Sequence, residues 1–216
     1  MEIFDCTGLQ ARHAAIEAAV SVVRAGHVVC LPTDTVYGIG ADPFNDDAVT
    51  ELLAAKSRTR QMPPPVLVHD AEQASTLTAW INDEAMALME NLWPGALTII
   101  LPARENIGWD LGETQGTVAL RMPDNSIALE LLEHTGPLAV TSANKTGRSP
   151  ATNITQAYEQ LGDAVGVYLD GGEAGGGVPS TIIKFSPESP RKVQLIRAGA
   201  ISAEIIESTA NVQVIQ

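Results

Sequence analysis

The apolar positions of this 216-residue chain alternate between helical spacing and short continuous runs. Residues 9–25 have the pattern of a helix that Gly26 ends, with Ala14, Ala18 and Val22 or Ile16, Val20 and Val23 as its apolar sides. The apolar run at residues 27–32 then has the character of a short buried strand. The same patterns predict further helices at residues 45–55, 83–91, 126–134 and 154–161 and from Ser202, and strands at 66–68, 97–101, 117–122, 138–141, 165–169, 181–185 and 193–196.

This alternation of strands and helices is typical of an α/β fold, a sheet layered with helices. Residues 178–196 have a hairpin-like pattern of strands, so the sheet is predicted to be mixed. The sequence has no internal repeat, no low-complexity segment and no linker long enough to divide it. We therefore predict one domain over residues 9–205, followed by a polar C-terminal tail at residues 206–216.

The charge of the chain restricts its partners. It has 13 Lys and Arg against 26 Asp and Glu, a formal net charge of -13. A protein that grips nucleic acid by its phosphates normally has a broad basic face. The few cations occur in local clusters, which suits a compact anion such as a nucleotide. We expect no extended nucleic-acid footprint, although RNA contact is not excluded.

The N-terminus lacks a basic region followed by an apolar run, and no apolar stretch is long enough to span a membrane. We expect a cytoplasmic protein without a membrane partner. Cys30 lies within an apolar run, where a buried reduced thiol is favoured over a ligand or a nucleophile.

Three of the scarce cations lie within five residues, at Lys56, Arg58 and Arg60, just before a proline-rich loop. One interpretation is a basic helix end that complements the helix dipole, for which one or two cations suffice. The other is an anion-binding site, because clustered cations repel one another unless an anion lies among them.

Familiar nucleotide and hydrolase motifs are missing. The sequence has no GxxxxGK[ST] loop, no complete dinucleotide fingerprint and no GxSxG elbow. Its four histidines have no metal-ligand spacing among themselves or with the cysteines.

Polar residues instead follow several strands, where sites in α/β sheets tend to lie. Residues 31–38 offer hydroxyls and a carboxylate, or are simply a turn. Arg121 lies on a strand face with Thr117 and needs an anion, for which a structural Asp is the alternative to a ligand. Residues 141–150 combine hydroxyls, an amide and cations that suit phosphate oxygens. Residues 170–177 are rich in glycine, and Arg197 follows the last predicted sheet strand.

These segments, in this order, resemble the threonylcarbamoyl-AMP synthases of the YrdC-like domain family over roughly residues 9–205. The matching motifs are PTDTVYGIGAD at 32–42, KxR at 56–58, WPGALT at 93–98, TVALRMP at 117–123, SxN at 142–144, GVPSTII at 177–183 and RAG at 197–199. The resemblance is to the short form, without an extra C-terminal domain. It implies one domain with a twisted mixed sheet, flanking helices and a large concave basic cavity.

The resemblance also implies a reaction and its partners. L-threonine, bicarbonate and ATP would give threonylcarbamoyl-AMP and pyrophosphate, with Mg2+ bridging the ATP phosphates. A separate tRNA threonylcarbamoyl transferase complex would place the product beside the anticodon. Lys56 and Arg58 are the implied catalytic residues. The implied ATP-binding residues are Lys56, Arg58, Thr117, Ser142, Asn144, Ser149 and Arg197, and the implied threonine-binding residues are Thr35, His69, Arg121, the Val140 backbone and Ser180.

Two departures from the family pattern affect this assignment. Asp34 stands where the family more often has Glu, one methylene longer. After Arg58 the usual Asn-Pro-Leu is replaced by a longer proline-rich segment, so an Asn contact to ATP is unassigned and Arg60 is a candidate for phosphate binding.

Two other functions remain open from the sequence. One is a related adenylate-forming or carbamoyl-handling enzyme with a different substrate. The other is an RNA-binding module, against which the net charge of -13 argues.

The site assignment is testable at Arg58. We predict that Arg58→Ala abolishes ATP use because the triphosphate loses a cation, while the protein stays folded. ATP turnover and circular dichroism of the variant measure the two effects. Unchanged turnover would remove Arg58 from the site.

Overall fold

A computed structural model describes residues 2–57 and 59–216. Over these residues, strands and helices alternate along most of the chain, and a short 3-10 helix at Gly162–Ala164 follows the sixth α-helix. In chain order the elements are β1 (Glu2–Asp5), α1 (Leu9–Arg24), β2 (Val29–Leu31), β3 (Gly38–Ala41), α2 (Asp46–Ala55), β4 (Val66–Leu67), α3 (Ala71–Leu77), α4 (Asp83–Leu92), β5 (Leu97–Pro102), β6 (Thr117–Arg121), α5 (Ser126–Thr135), β7 (Leu138–Ser142), α6 (Ile154–Leu161), β8 (Val167–Asp170), β9 (Thr181–Lys184), β10 (Lys192–Arg197), α7 (Ala203–Ala210) and β11 (Gln213–Ile215).

The described strands form one sheet in the order β1-β8-β2-β3-β7-β4-β6-β5-β9-β10-β11. Strand β8 runs parallel to both β1 and β2. Strand β4 runs parallel to β6, and β5 runs parallel to β9. The pairs β2-β3, β3-β7, β4-β7 and β5-β6 are antiparallel. Strands β9 and β10 are also antiparallel, as the hairpin-like pattern predicts. The prediction of a mixed sheet is confirmed.

Apolar side chains fill both faces of the sheet. On β2, Val29 and Leu31 belong to one buried cluster and Cys30 to the other, because successive strand residues point to opposite faces. Helices α1 and α5 cover the first face, and α2, α4, α6 and α7 contribute to the core on the second. No helix in the described ranges has the length and apolarity that crossing a bilayer requires.

The helix starts follow from polar capping residues. The side chains of Asn82, Asn153 and Ser202 accept hydrogen bonds from backbone N–H groups in the first turns of α4, α6 and α7. Asn45 caps α2 and accepts from the backbone N–H groups of Asp47 and Ala48. Such caps satisfy donors that the helix itself leaves unpaired.

The periodicity did not predict strand β3, because two of its four residues are glycines. These glycines allow close packing against β7. A Cβ on Gly38 would lie 2.8 Å from Val140 Cγ1, and one on Gly40 would lie 3.0 Å from Val140 Cγ2. Helix α3, seven residues long and capped by Asp70, was also not predicted.

The prediction of a polar tail at residues 206–216 is wrong. These residues complete α7 and form β11, which pairs in parallel with β10. Ile206 is fully buried, and Val212 is buried in the same core. At the other end, β1 extends the sheet to residues before Leu9. The apolar residues of the C-terminal segment therefore belong to the core despite their polar neighbours.

Two adjacent isoleucines test the docking of α7. We predict that Ile206→Ala lowers the free energy of unfolding by about 2–5 kcal/mol, because it empties a fully buried site. Ile205, 44% exposed on the same helix, is the matched control, and Ile205→Ala should change stability by less than about 0.5 kcal/mol. Urea denaturation measures both values. Equal losses would contradict the packing of α7.

Candidate active site

A cavity of about 450 Å³ lies on the part of the sheet that α1 and α5 leave open. On β6, Thr117, Ala119 and Arg121 line it, whereas Leu120 on the opposite face joins the core. The volume is in the usual range for small-molecule sites. The lining combines hydroxyls, two arginines and an apolar wall; the hydroxyl residues are Thr33, Thr35, Tyr37, Thr98, Thr114, Thr117, Thr141, Ser142 and Ser180, and the prolines are Pro63, Pro64, Pro65, Pro150 and Pro179.

The guanidinium of Arg121 is fixed by three different partners. Its Nε donates to the carbonyl of Gly95 (2.9 Å), Nη1 donates to Thr35 Oγ1 (3.0 Å), and Nη2 donates to Asp34 Oδ1 (2.6 Å). Arg121 is only 7% exposed. Burial lowers the pKa of Arg121, and the Asp34 carboxylate opposes this effect. The Asp partner that the sequence left open is therefore present.

The second arginine of the cavity lies beside a serine. Arg197 Nη2 donates to the Ser180 carbonyl (2.7 Å) and to Ser180 Oγ (3.0 Å), and Ser180 Oγ is 2.8 Å from Thr98 Oγ1. Gly199 permits this arrangement, because a Cβ there would collide with backbone atoms of residues 179–181. Arg121 and Arg197 together give the cavity a positive charge that a single carboxylate only partly offsets.

Lys56 is buried under the loop that follows β7, with 3% exposure. Its Nζ donates to the Ser142 carbonyl, and it lies 2.9 Å from the Asn144 carbonyl and 3.0 Å from Asn144 Oδ1. Ser142 Oγ is 3.2 Å from the same nitrogen. A buried ammonium needs such oxygen partners to remain charged. Lys56 therefore joins the end of α2 to the residue 142–144 turn.

Asn144 organises the rest of this loop. Its Oδ1 accepts hydrogen bonds from Lys56 and from Ser142 Oγ (2.6 Å). Its Nδ2 donates to the carbonyls of Lys145 (3.0 Å) and Arg148 (2.7 Å). Thus all the hydrogen-bonding groups of this amide are used within the protein. The contacts make Asn144 a residue that shapes the loop.

The structure brings most of the candidate residues to one place. Those that line the cavity are Thr35, Thr117, Arg121, Val140, Ser142, Ser180 and Arg197. Lys56 and Asn144 are joined to Ser142 by hydrogen bonds. Ser149 is exposed on the same loop, and its carbonyl accepts from Gln160. Arg58 lies outside the described residues.

Arg60 and His69 are not part of the cavity lining. Arg60 is exposed and forms an ion pair with Asp110, and its carbonyl accepts the Glu113 N–H (2.9 Å). These contacts join the proline-rich loop to the loop between β5 and β6. His69 Nδ1 lies 3.3 Å from Asp70 Oδ2.

Sequence reasoning missed Thr98 and the proline wall as cavity residues. The signal for Thr98 was present, because it is a polar residue within the apolar run of β5 and faces away from the core residues Leu97 and Ile99. The proline wall had no comparable signal, since its members come from three separate loops.

Both cysteines lie outside the cavity lining, and both are free and buried. Burial raises the pKa of Cys6 to about 11 and also raises the pKa of Cys30. Both thiols therefore stay protonated near neutral pH. The prediction of a buried reduced thiol at Cys30 is confirmed.

Comparison with known proteins gives a consistent result. The family model for Sua5, YciO and YrdC, described as telomere recombination, matches residues 21–199. A Mycobacterium tuberculosis protein, provisionally named a threonylcarbamoyl-AMP synthase, is 44% identical over 211 residues, covering 98% of this chain and 96% of its own. The Bacillus subtilis threonylcarbamoyl-AMP synthase is 38% identical over 196 residues, covering 89% of this chain and 56% of its own length.

The fold matches as closely as the sequence. The crystal structure of Pyrococcus abyssi Sua5 complexed with L-threonine superposes with a TM-score of 0.90 and 32% identity, covering all of this chain and 63% of that protein. The fold and the cavity define a single-domain α/β protein with a cavity of small-molecule size that two arginines line. The chain belongs to the Sua5/YciO/YrdC family. The predicted fold class and the family resemblance are confirmed.

The buried position of Lys56 makes a stability prediction. Lys56→Met should lower the free energy of unfolding by about 1–3 kcal/mol, because the buried oxygens of Ser142 and Asn144 lose the charged donor that they share. Lys145→Met on the same loop is the matched control, since Lys145 is exposed, and its effect should stay within about 0.5 kcal/mol. Chemical denaturation compares the two. If both variants are as stable as the wild type, Lys56 does not hold the loop.

Proposed function

We propose that this protein is an L-threonylcarbamoyladenylate synthase, which forms threonylcarbamoyl-AMP and pyrophosphate from L-threonine, bicarbonate and ATP. The observation that carries the proposal is one cavity lined by two arginines and many hydroxyls, directly beside the Lys56 and Ser142 cluster. The family membership and the names of the relatives support the same activity.

The amino acid would bind at the Arg121 end of the cavity. Arg121 would bind the carboxylate of threonine, because guanidinium groups recognise carboxylates through paired N–H donors. The Thr35 hydroxyl, bonded to Arg121, and the Ser180 hydroxyl, bonded to Arg197, would also contact the amino acid. The Val140 backbone lies at the same cavity. His69 is half-buried beside Asp70, so we assign it no direct contact with threonine.

The nucleotide would bind toward the loop after β7. Lys56 places a positive charge beneath Ser142 and Asn144, and Ser149 follows on the same loop. We propose that these residues hold the phosphates together with Arg58, which the family resemblance adds to the set. Thr117 and Arg197 line the same cavity and complete the proposed set. The apolar wall formed by residues 63–65 and Pro150 offers a surface for the nucleobase. Arg60 is paired with Asp110 and is not included.

The proposed chemistry has two steps. The threonine ammonium first loses a proton to solvent. The resulting amine bonds to the carbon of bicarbonate, which gives a carbamate and one water, or to CO2, which gives a carbamate and a second proton. An oxygen of the carbamate then attacks the α-phosphorus of ATP, and the bond to pyrophosphate breaks. The carbamate is already anionic, so this attack needs no protein base. The protein would act by aligning and neutralising anions.

Magnesium is proposed to accompany ATP. Within residues 2–57 and 59–216, no three His, Cys, Asp or Glu side chains cluster so that they could hold a metal. We propose that the ion is held mainly by phosphate oxygens and waters, which is a common form of Mg2+ binding. When bound, the ion would neutralise charge on the phosphates.

The product would pass to a tRNA threonylcarbamoyl transferase complex in the cytoplasm. The net charge of -13 supports a separate transferase, because an acidic synthase is poorly suited to bind the phosphates of tRNA over an extended face.

Mass spectrometry of the reaction tests the proposal. We predict that the purified protein forms threonylcarbamoyl-AMP when it is incubated with L-threonine, bicarbonate, ATP and Mg2+, with an equal amount of pyrophosphate. Omission of any one substrate should remove the product. L-serine and L-valine serve as matched amino acids, since each lacks one feature of the threonine side chain.

The other outcomes separate the alternatives. Product from another amino acid, and none from threonine, would identify a related adenylate-forming enzyme. No binding of ATP would contradict the assignment of the cavity as a nucleotide site.

A further inference from the structure

Asp34 occupies a position that the proposed function does not use. Its side chain is 15% exposed, and its Oδ1 accepts hydrogen bonds from Arg121 Nη2 (2.6 Å) and from the backbone N–H of Asp124 (3.1 Å). Within the described residues, Asp34 is the carboxylate that pairs with Arg121. Asp34 itself is not among the cavity-lining residues. Asp34 therefore reaches a ligand in the cavity indirectly, and its side chain is linked to the cavity by the hydrogen bond to Arg121.

The hydrogen bonds of Arg121 leave a defined part of its guanidinium for a ligand. A guanidinium has five N–H groups in a rigid plane. Nε has one and donates it to Gly95, while Nη1 and Nη2 have two each and donate one each to Thr35 and Asp34. One N–H on each Nη atom therefore has no hydrogen bond within the described protein. Because the three existing bonds fix the plane, these two N–H groups also have a fixed direction.

We propose that Asp34 is a positioning residue that holds Arg121 so that its two remaining N–H groups receive the carboxylate of the amino-acid substrate. This inference rests on the proposed function, because it takes threonine as the ligand of Arg121. It goes further than the proposed function, because it states that Asp34, which does not line the cavity, determines the orientation of Arg121.

Asp34 also sets the charge of this subsite. Arg197 disfavours the charged form of Arg121 by repulsion, and Asp34 favours it by attraction. The Asp34–Arg121 pair carries no net charge, so the charge of Arg197 is the one that remains for the anionic groups of the substrates. Without Asp34, both arginines would share the cavity uncompensated, and Arg121 would lack its charged partner while remaining largely buried.

The alternative is that Asp34 only stabilises the fold. Removal of one partner from a buried ion pair lowers the stability of the protein, whatever the function of the pair. The two roles differ in what they predict for substrates. A positioning role changes the KM for L-threonine selectively, whereas a structural role changes stability and affects both substrates or neither.

Steady-state kinetics of Asp34 variants tests the inference. We predict that Asp34→Ala raises the KM for L-threonine by about tenfold or more, because Arg121 loses the partner that orients it. The KM for ATP should stay within about twofold. Asp34→Glu keeps the charge and should retain most of the threonine affinity, and Asp34→Asn keeps an acceptor without the charge and should lie between Glu and Ala. Titration calorimetry with L-threonine gives an independent measure.

Asp5 provides the matched control. Its carboxylate also accepts a backbone N–H, from Thr7 (2.8 Å), but it lies on the edge strand β1. Asp5→Ala should leave both KM values unchanged. Should Asp34→Ala fail to fold, the isosteric Asp34→Asn variant carries the test, with an increase of about threefold in the threonine KM expected.

Folded Asp34→Ala and Asp34→Asn variants with the wild-type KM for threonine would overturn the inference. An equal rise in the KM for ATP and for threonine would also overturn it, because it would indicate a general structural effect. A wild-type protein that forms no threonine-dependent product would instead refute the proposed function, which separates the two failures.

Discussion

The site depends on keeping two buried cations charged inside an acidic protein. Arg121 and Lys56 are 7% and 3% exposed, so each needs protein oxygens in place of the water molecules that solvate it in the unfolded chain. Arg121 does so with a carboxylate and two neutral oxygens, whereas the contacts of Lys56 include carbonyl and amide oxygens of Ser142 and Asn144. These partners come from loops that are distant in sequence. The hydrogen bonds that stabilise the charged side chains of Arg121 and Lys56 therefore also hold together the loops that form the walls of the cavity.

The sheet determines where these loops meet. Because α1 and α5 cover only part of one face, the other part of that face on β5, β6 and β9 stays open and carries Thr98, Arg121 and Ile182. The opposite face of the same strands packs into the main core. A rigid, buried face thus supports an open one, which suits a binding site whose groups must keep their alignment.

The elements were predictable from sequence where apolar periodicity is strong. The strands around Ile99 and Leu120 and the helix containing Leu131 lie where the pattern indicates. Strand β3 was missed because Gly38 and Gly40 lack side chains, although close packing on Val140 requires that absence. The C-terminal strand was missed because Val214 and Ile215 are a short apolar run between glutamines, and only the pairing with β10 explains it.

The candidate site shows a similar division. The ordered motifs indicated Arg121, Ser142 and Arg197, and the structure places all three at one cavity. Periodicity could not show that Asp34 pairs with Arg121 across 87 positions, or that Arg60 pairs with Asp110. Such pairs are set by the packing of loops, for which local sequence carries no signal.

The most direct test of this account is a crystal structure with L-threonine and a non-hydrolysable ATP analogue. The account predicts the threonine carboxylate about 3 Å from the Arg121 guanidinium and the phosphates beside the residue 142–149 loop. Threonine bound elsewhere, or a carboxylate distant from both Arg121 and Arg197 in crystals that contain the nucleotide, would contradict it.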